Sequence, residues 1–104
     1  MLILTRYTGQ SIIIDDNIIL TIVDTTSPYR IKINVNRPNL SKTFPVFLND
    51  WRIIITDVHA MFTYNHKVPG QVFVKLEAPR NIKIIRKELW DKGIRTIDHP
   101  SIPL

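Results

Sequence analysis

The chain contains no cysteine among its 104 residues, which excludes disulfides, thiol catalysis and cysteine-ligated metals. It also lacks long apolar runs, since the longest are three or four residues, such as 12–14. A transmembrane helix needs about 20. The opening residues show no basic leader before a long apolar stretch, so we expect no signal peptide. These absences fit a cytoplasmic protein with no membrane partner.

Alanine and glycine are also scarce, with two and three residues, whereas Ile, Val and Thr number 18, 7 and 9. β-Branched side chains favour strands over helices. A chain of this length can bury about 60–70 % of its unfolded surface, enough for one modest core. The composition therefore predicts a single, mostly β domain.

The strands are predicted from apolar alternation bounded by turn residues. In 30–36 the alternation is strict, which indicates one buried and one solvated face. Pro45 would confine a strand at 42–48 to a sheet edge or a bulge. Besides the segment 42–48, the predicted strands are residues 1–7, 11–14, 18–24, 29–36, 51–58, 71–77 and 82–85.

The other segments are predicted to be loops, apart from one helix. Residues 59–70 are expected to form a long loop or a widened hairpin end, and 98–104 an irregular tail. Residues 86–92 are the one plausible helix, ended by Gly93. The expected architecture is a small antiparallel, barrel-like sheet with one short C-terminal helix.

Two stretches of the chain, 16–38 and 50–79, are similar to each other. Each has a polar start, two strands and a proline stop, at Pro38 and Pro79. One interpretation is a partial duplication. The other is that any two hairpins in an isoleucine-rich chain look alike.

The chain is basic, with a formal net charge of +5. Part of the excess is concentrated in residues 80–87, which hold four basic residues and no acid. A local basic stripe indicates nucleic-acid binding better than net charge does, and the alternative is a solvated strand face. The four residues are Arg80, Lys83, Arg86 and Lys87.

The opening Met-Leu-Ile-Leu-Thr-Arg, followed by Gly9, resembles the start of the carbon storage regulator family of bacterial RNA-binding repressors. Near the other end, an Ala-Pro pair leads through a short strand and an Arg into a helix, as in that family. The resemblance is carried by residues 1–6, Gly9, Asp16, 18–24, 29–36, Gln71-Val72, Ala78-Pro79 and 82–89.

By this resemblance the chain is an atypically long member. The single domain 1–104 would consist of a family-like core, 1–38 and 80–97, with an inserted hairpin segment at 39–79. That segment is the candidate second copy of 16–38.

The resemblance implies an interwoven homodimer in which the first strand of one subunit lies beside the last strand of the other. Two equivalent sites would capture GGA triplets in loops of mRNA leaders or small regulatory RNAs, and so regulate translation and mRNA stability. Carried over by position, the RNA-binding residues are Leu4, Arg6, Tyr7, Ala78, Pro79, Arg80, Ile82, Ile84 and Arg86.

This sequence departs from the family pattern at two places. Tyr7 stands where a second arginine is common. Arg30 stands where glutamine is expected, whereas Gln71 in the second stretch keeps the glutamine. The core could therefore use either stretch, or both.

Arginine chemistry supports the assignment independently, because the guanidinium fork donates two parallel hydrogen bonds to guanine or phosphate. Arg86, at the junction of strand and helix, is the strongest candidate, and Arg6 would add contacts from the neighbouring strand. The alternative for Arg86 is a surface ion pair with Glu88 or Asp91.

Other kinds of site have little support. His59, His66 and His99 are scattered, and no carboxylate or third histidine lies at metal-ligand spacing near His59 and His66. No catalytic set or phosphate-binding glycine loop is present. We expect no enzyme, cofactor, metal or small-molecule substrate. The rival function is a divergent member without RNA binding that acts through protein contacts, for example by heterodimerising with or antagonising an ordinary member.

Overall fold

The structure is a computed structural model that describes residues 1–94. Over these residues the chain forms nine strands and one short helix. In chain order they are β1 (Leu2–Tyr7), β2 (Ser11–Ile14), β3 (Ile18–Asp24), β4 (Arg30–Arg37), β5 (Leu40–Phe47), β6 (Arg52–Ile55), β7 (Val58–Tyr64), β8 (Gln71–Glu77), β9 (Ile84–Arg86) and α1 (Lys87–Asp91).

The strands form two antiparallel sheets. One has four strands in the order β1-β8-β7-β6, and the other has five in the order β5-β4-β3-β2-β9. Strands of the segment 39–79 therefore belong to both sheets, and β1 lies beside β8 of the same chain. The prediction of a mostly β protein with one short C-terminal helix is confirmed.

One apolar core joins the two sheets. Alternating residues of β1, β3, β4, β7 and β8 point inward, as the period of a half-buried strand requires. The core includes Leu2, Phe62 and Val74 from the four-stranded sheet and Ile12 and Ile33 from the five-stranded one. Both sheets of the described residues therefore contribute side chains to one core.

The prediction of a long loop over 59–70 is wrong for its first half, because Val58–Tyr64 is a strand. Val58, Ala60 and Phe62 are fully buried on one face of it. The predicted strand 51–58 ends at Ile55, since a two-residue turn follows in which Asp57 adopts a φ of 68°. Aspartate tolerates this left-handed conformation.

Helix α1 is followed by Gly93 with a φ of 77°, a common helix ending. Within residues 1–94, no helix has the length and apolarity needed to cross a membrane. The predicted tail 98–104, His99 and residues 95–97 of the family-like core lie outside the described residues.

Candidate nucleic-acid interface

The predicted site residues lie on the outer strands of the two sheets and on the turn that leads to one of them. β1 is the outer strand of the four-stranded sheet, and β9 is the outer strand of the five-stranded sheet. Leu4 of β1 and Ile84 of β9 belong to the same core. The two edges therefore share one apolar base.

Arg6 connects the β1 edge to α1, the helix that follows β9. It lies on the inward face of β1 and is only 4 % exposed. Its Nη1 and Nη2 atoms donate to the two carboxylate oxygens of Glu88, at 2.7 and 2.8 Å. A bidentate, charge-assisted pair of this kind is among the strongest polar contacts in proteins.

Backbone carbonyls occupy further donors of the same guanidinium. Arg6 Nη1 also donates to the carbonyl of Ser11 at 3.1 Å, and Nε donates to the carbonyl of Thr5 at 2.7 Å. Arg6 is thus tied at once to its own strand, to β2 and to the first turn of α1. These bonds use four of the five N–H groups of the guanidinium, which leaves one for the RNA contact that the family resemblance implies.

The carboxyl of Glu88 is strongly affected by this pairing. The hydrogen bonds from Arg6 lower the pKa of Glu88 to about 2, against partial burial, which raises it, and the positive charge of Arg86 lowers it further. Its side chain is 44 % exposed, so solvent reaches the pair from one side. The ion pair is fully formed at neutral pH.

The other predicted residues divide into buried and accessible groups. Leu4 and Ile84 are buried in the core, whereas Tyr7, on the outward face of β1, is 44 % exposed. The half-buried residues are Ala78, Ile82 and Arg86, and the exposed ones are Pro79 and Arg80.

The turn before β9 is held by backbone hydrogen bonds. The N–H of Ile82 donates to the carbonyl of Pro79 at 3.1 Å, and the carbonyl of Lys83 accepts from the N–H of Asp15 at 2.7 Å. The Lys83 ammonium lies 3.4 Å from the Asp16 carboxylate. The exposed residues Pro79 and Arg80 thus lie on an ordered turn, beside the β2–β3 hairpin.

Glu88 entered the sequence reasoning only through the alternative for Arg86, a surface ion pair with Glu88 or Asp91. The structure pairs it with Arg6, and Asp91 pairs with Lys87 at 2.8 Å. A signal for the Arg6 pair was present in β1, because Leu2, Leu4 and Arg6 share one face of an alternating strand. An arginine on an inward face needs a counter-charge.

Comparison with known proteins relates the first part of the chain to a protein family. No curated protein and no solved structure matches the chain. Residues 1–42, which run from β1 into β5, match the model of the CsrA family, the global regulator protein family. This N-terminal segment is therefore similar to the CsrA family of global regulators.

Proposed function

We propose that this protein binds RNA sequence-selectively, recognises GGA-containing loops in mRNA leaders or small regulatory RNAs, and so regulates translation and mRNA stability without catalysis. The observation that carries the proposal is the pairing of β1, inside the family match, with the segment after β9 through Arg6 and Glu88. This pairing joins β1 to the helix that directly follows β9.

The edges suit single-stranded RNA for a physical reason. Unpaired loop bases present their Watson–Crick and Hoogsteen edges, which backbone and side-chain groups can read. An outer strand has one row of N–H and C=O groups outside the sheet ladder, and β1 and β9 are both outer strands. A splayed guanine or adenine would bind along these rows.

The side chains would then have different roles. Arg86 would read a base or phosphate with its fork, and Tyr7 would stack on a base. Arg80, with the turn backbone beside it, would contact the RNA backbone. Leu4, Ile84 and Arg6 would act as positioning residues, because they are buried in the core or engaged by Glu88. Messenger RNA as the partner would place the protein in the cytoplasm.

The test is a gel-shift titration with a hairpin that carries GGA in its loop, beside a matched hairpin without it. Arg86→Ala should weaken binding to the GGA hairpin about 5–150-fold, since losing a charged contact to a base costs roughly 1–3 kcal/mol. The difference in affinity between the GGA hairpin and the matched hairpin should become smaller.

Lys92→Ala is the matched control, because Lys92 is exposed and lies beyond the end of α1. It should leave the difference in affinity between the two hairpins unchanged. Binding to each hairpin should weaken only slightly, through the loss of one positive charge. If the wild-type protein binds neither hairpin at low salt, RNA binding is refuted, and the rival function through protein contacts is favoured.

A further inference from the structure

The two halves of the chain have the same succession of strands. β3 starts at Ile18 and β7 at Val58, and β4 starts at Arg30 and β8 at Gln71. Equivalent residues are therefore 40 or 41 positions apart. β2, β3 and β4 are consecutive neighbours in one sheet, as β6, β7 and β8 are in the other.

The strand register obeys the same offset. Leu20 lies opposite Val35, and their equivalents Ala60 and Leu76 lie opposite each other. The turns agree as well, since Gly9 has a φ of 90° and its equivalent Asn49 a φ of 66°. Two unrelated hairpins would not share register, turn conformation and spacing over about 37 residues.

The first strands of the two halves are exchanged. β1 pairs with β8 of the second half, placing Leu4 opposite Val74. β5 pairs with β4 of the first half, placing Phe44 opposite Ile33. These pairs are equivalent under the same offset. Each half therefore lends its first strand to the sheet of the other half, within one chain.

We infer that residues 42–79 are a diverged second copy of 2–38, and that the two copies form within one chain the strand-exchanged unit that would otherwise need two chains. β1 needs no second subunit, because β8 of its own chain lies beside it. The protein is then a monomer, in place of the homodimer that the family resemblance predicts.

The candidate site occurs once in this unit. After the second copy the chain continues into β9 and α1, but after the first copy only residues 39–41 precede the second. β9 lies beside β2, and among residues 1–94 no strand lies at the equivalent position beside β6. The number of RNA sites per chain, which rests on the proposed function, is therefore one.

Two side-chain contacts connect the five-stranded sheet to β6 near this equivalent position. Arg37 Nη2 donates to the carbonyl of Ile54 at 3.2 Å, and the Arg52 guanidinium lies 5.0 Å from the centre of the Phe44 ring. Both contacts link the five-stranded sheet to β6. A short edge with a bulge and a charge resists pairing with another chain, and β6 has all three features.

Cysteine pairs test the single-chain exchange, because the natural chain contains no cysteine. Thr5 and Phe73 lie opposite each other on β1 and β8, as Asn34 and Thr43 do on β4 and β5. Opposed antiparallel residues have Cα separations of about 4.5–5.5 Å, within the range of a disulfide. The variants are Thr5→Cys with Phe73→Cys and, separately, Asn34→Cys with Thr43→Cys.

After oxidation, both double variants should run as single chains on a non-reducing gel, with their thiols consumed. The wild-type protein should scatter light as one chain of 12.1 kDa at micromolar concentration. The single-cysteine variants serve as controls for random cross-linking. Covalent dimers from the double variants at higher yield than from these controls, or a wild-type mass of two chains, would overturn the inference.

RNA stoichiometry tests the number of sites separately. We expect one GGA hairpin per chain at saturation, and two per chain would refute the single site. Mixing Tyr7→Ala protein with Arg86→Ala protein should not restore wild-type affinity, since both residues of a site belong to one chain. Internal cross-links without RNA binding would refute the proposed function alone. Intermolecular cross-links would refute the single-chain exchange alone.

Discussion

β1 and β5 are outer strands at equivalent places, yet their side chains are buried differently. β1 buries Leu2, Leu4 and Arg6, whereas β5 buries only Val46. Val46 stands where β1 has Arg6, 40 positions earlier. Beside β1, the helix α1 supplies Glu88 as a counter-charge, and none of the described contacts gives β5 a corresponding helix.

The comparison shows what a charged residue on an inward face requires. Removing an arginine from water is costly unless an anion and further hydrogen-bond acceptors replace the solvent. α1 follows only the second copy, so only β1 has that anion available. The edge that carries an arginine is also the edge that α1 contacts through Glu88, so the proposed RNA site would lie on one side of the molecule.

The largest expected loss of stability comes from placing an arginine on the inward face of β5. Val46 is 3 % exposed, and Val46→Arg would bury a charge without a partner, at a cost of about 3–5 kcal/mol. Urea denaturation should show this loss of unfolding free energy. Phe47→Arg, at a neighbouring position that is 62 % exposed, should change stability by less than about 0.5 kcal/mol. Equal stability of the two variants would contradict the comparison.

The next effect comes from removing the anion beside β1. Glu88→Gln leaves the buried guanidinium of Arg6 without its counter-charge. We expect a loss of about 1–3 kcal/mol, less than for a fully buried pair because solvent reaches Glu88. Asp91→Asn breaks the exposed pair with Lys87 and should cost at most about 0.5 kcal/mol. Chemical denaturation that finds the two variants alike would argue against a structural role for the Arg6 pair.

A smaller effect should distinguish the two edges in RNA binding. Tyr7 and Phe47 are equivalent exposed aromatic residues on β1 and β5. Tyr7→Ala should weaken binding to a GGA hairpin by about 1 kcal/mol, roughly fivefold, through loss of stacking on one base. Phe47→Ala should leave binding unchanged when both variants are measured in the same gel-shift titration. A greater loss from Phe47→Ala would place the RNA on the other edge.

The smallest effect is on pH dependence. Because the pKa of Glu88 is lowered to about 2 in the folded protein, its pairing stabilises the fold fully above about pH 5. That contribution falls as the pH drops through 4 towards 2, where the carboxylate takes up a proton. Unfolding free energies measured at pH 7, 4 and 2.5 should decline less for Glu88→Gln than for the wild-type protein. Parallel declines would show that Glu88 does not contribute to acid sensitivity.

Local patterns predicted most of the strands for a clear reason. The alternation in Arg30–Arg37 and Gln71–Glu77 comes from one buried and one solvated face, which the residues of a single strand reveal. β7 escaped prediction because histidine, alanine and methionine weaken its β signal, although Val58, Ala60 and Phe62 alternate inward. Packing against the second sheet, which local sequence does not show, stabilises that strand.

The sequence by itself determined the β-rich composition, the positions of most strands, the helix stop at Gly93 and the family resemblance of the first strand. The tertiary structure alone decided that β1 lies beside β8 and that Arg6 binds Glu88. These contacts join residues 64 or more positions apart, and their energies depend on burial and on the orientation of both partners. A local pattern contains neither, so the strand exchange and the paired arginine emerged only when the two sheets were packed together.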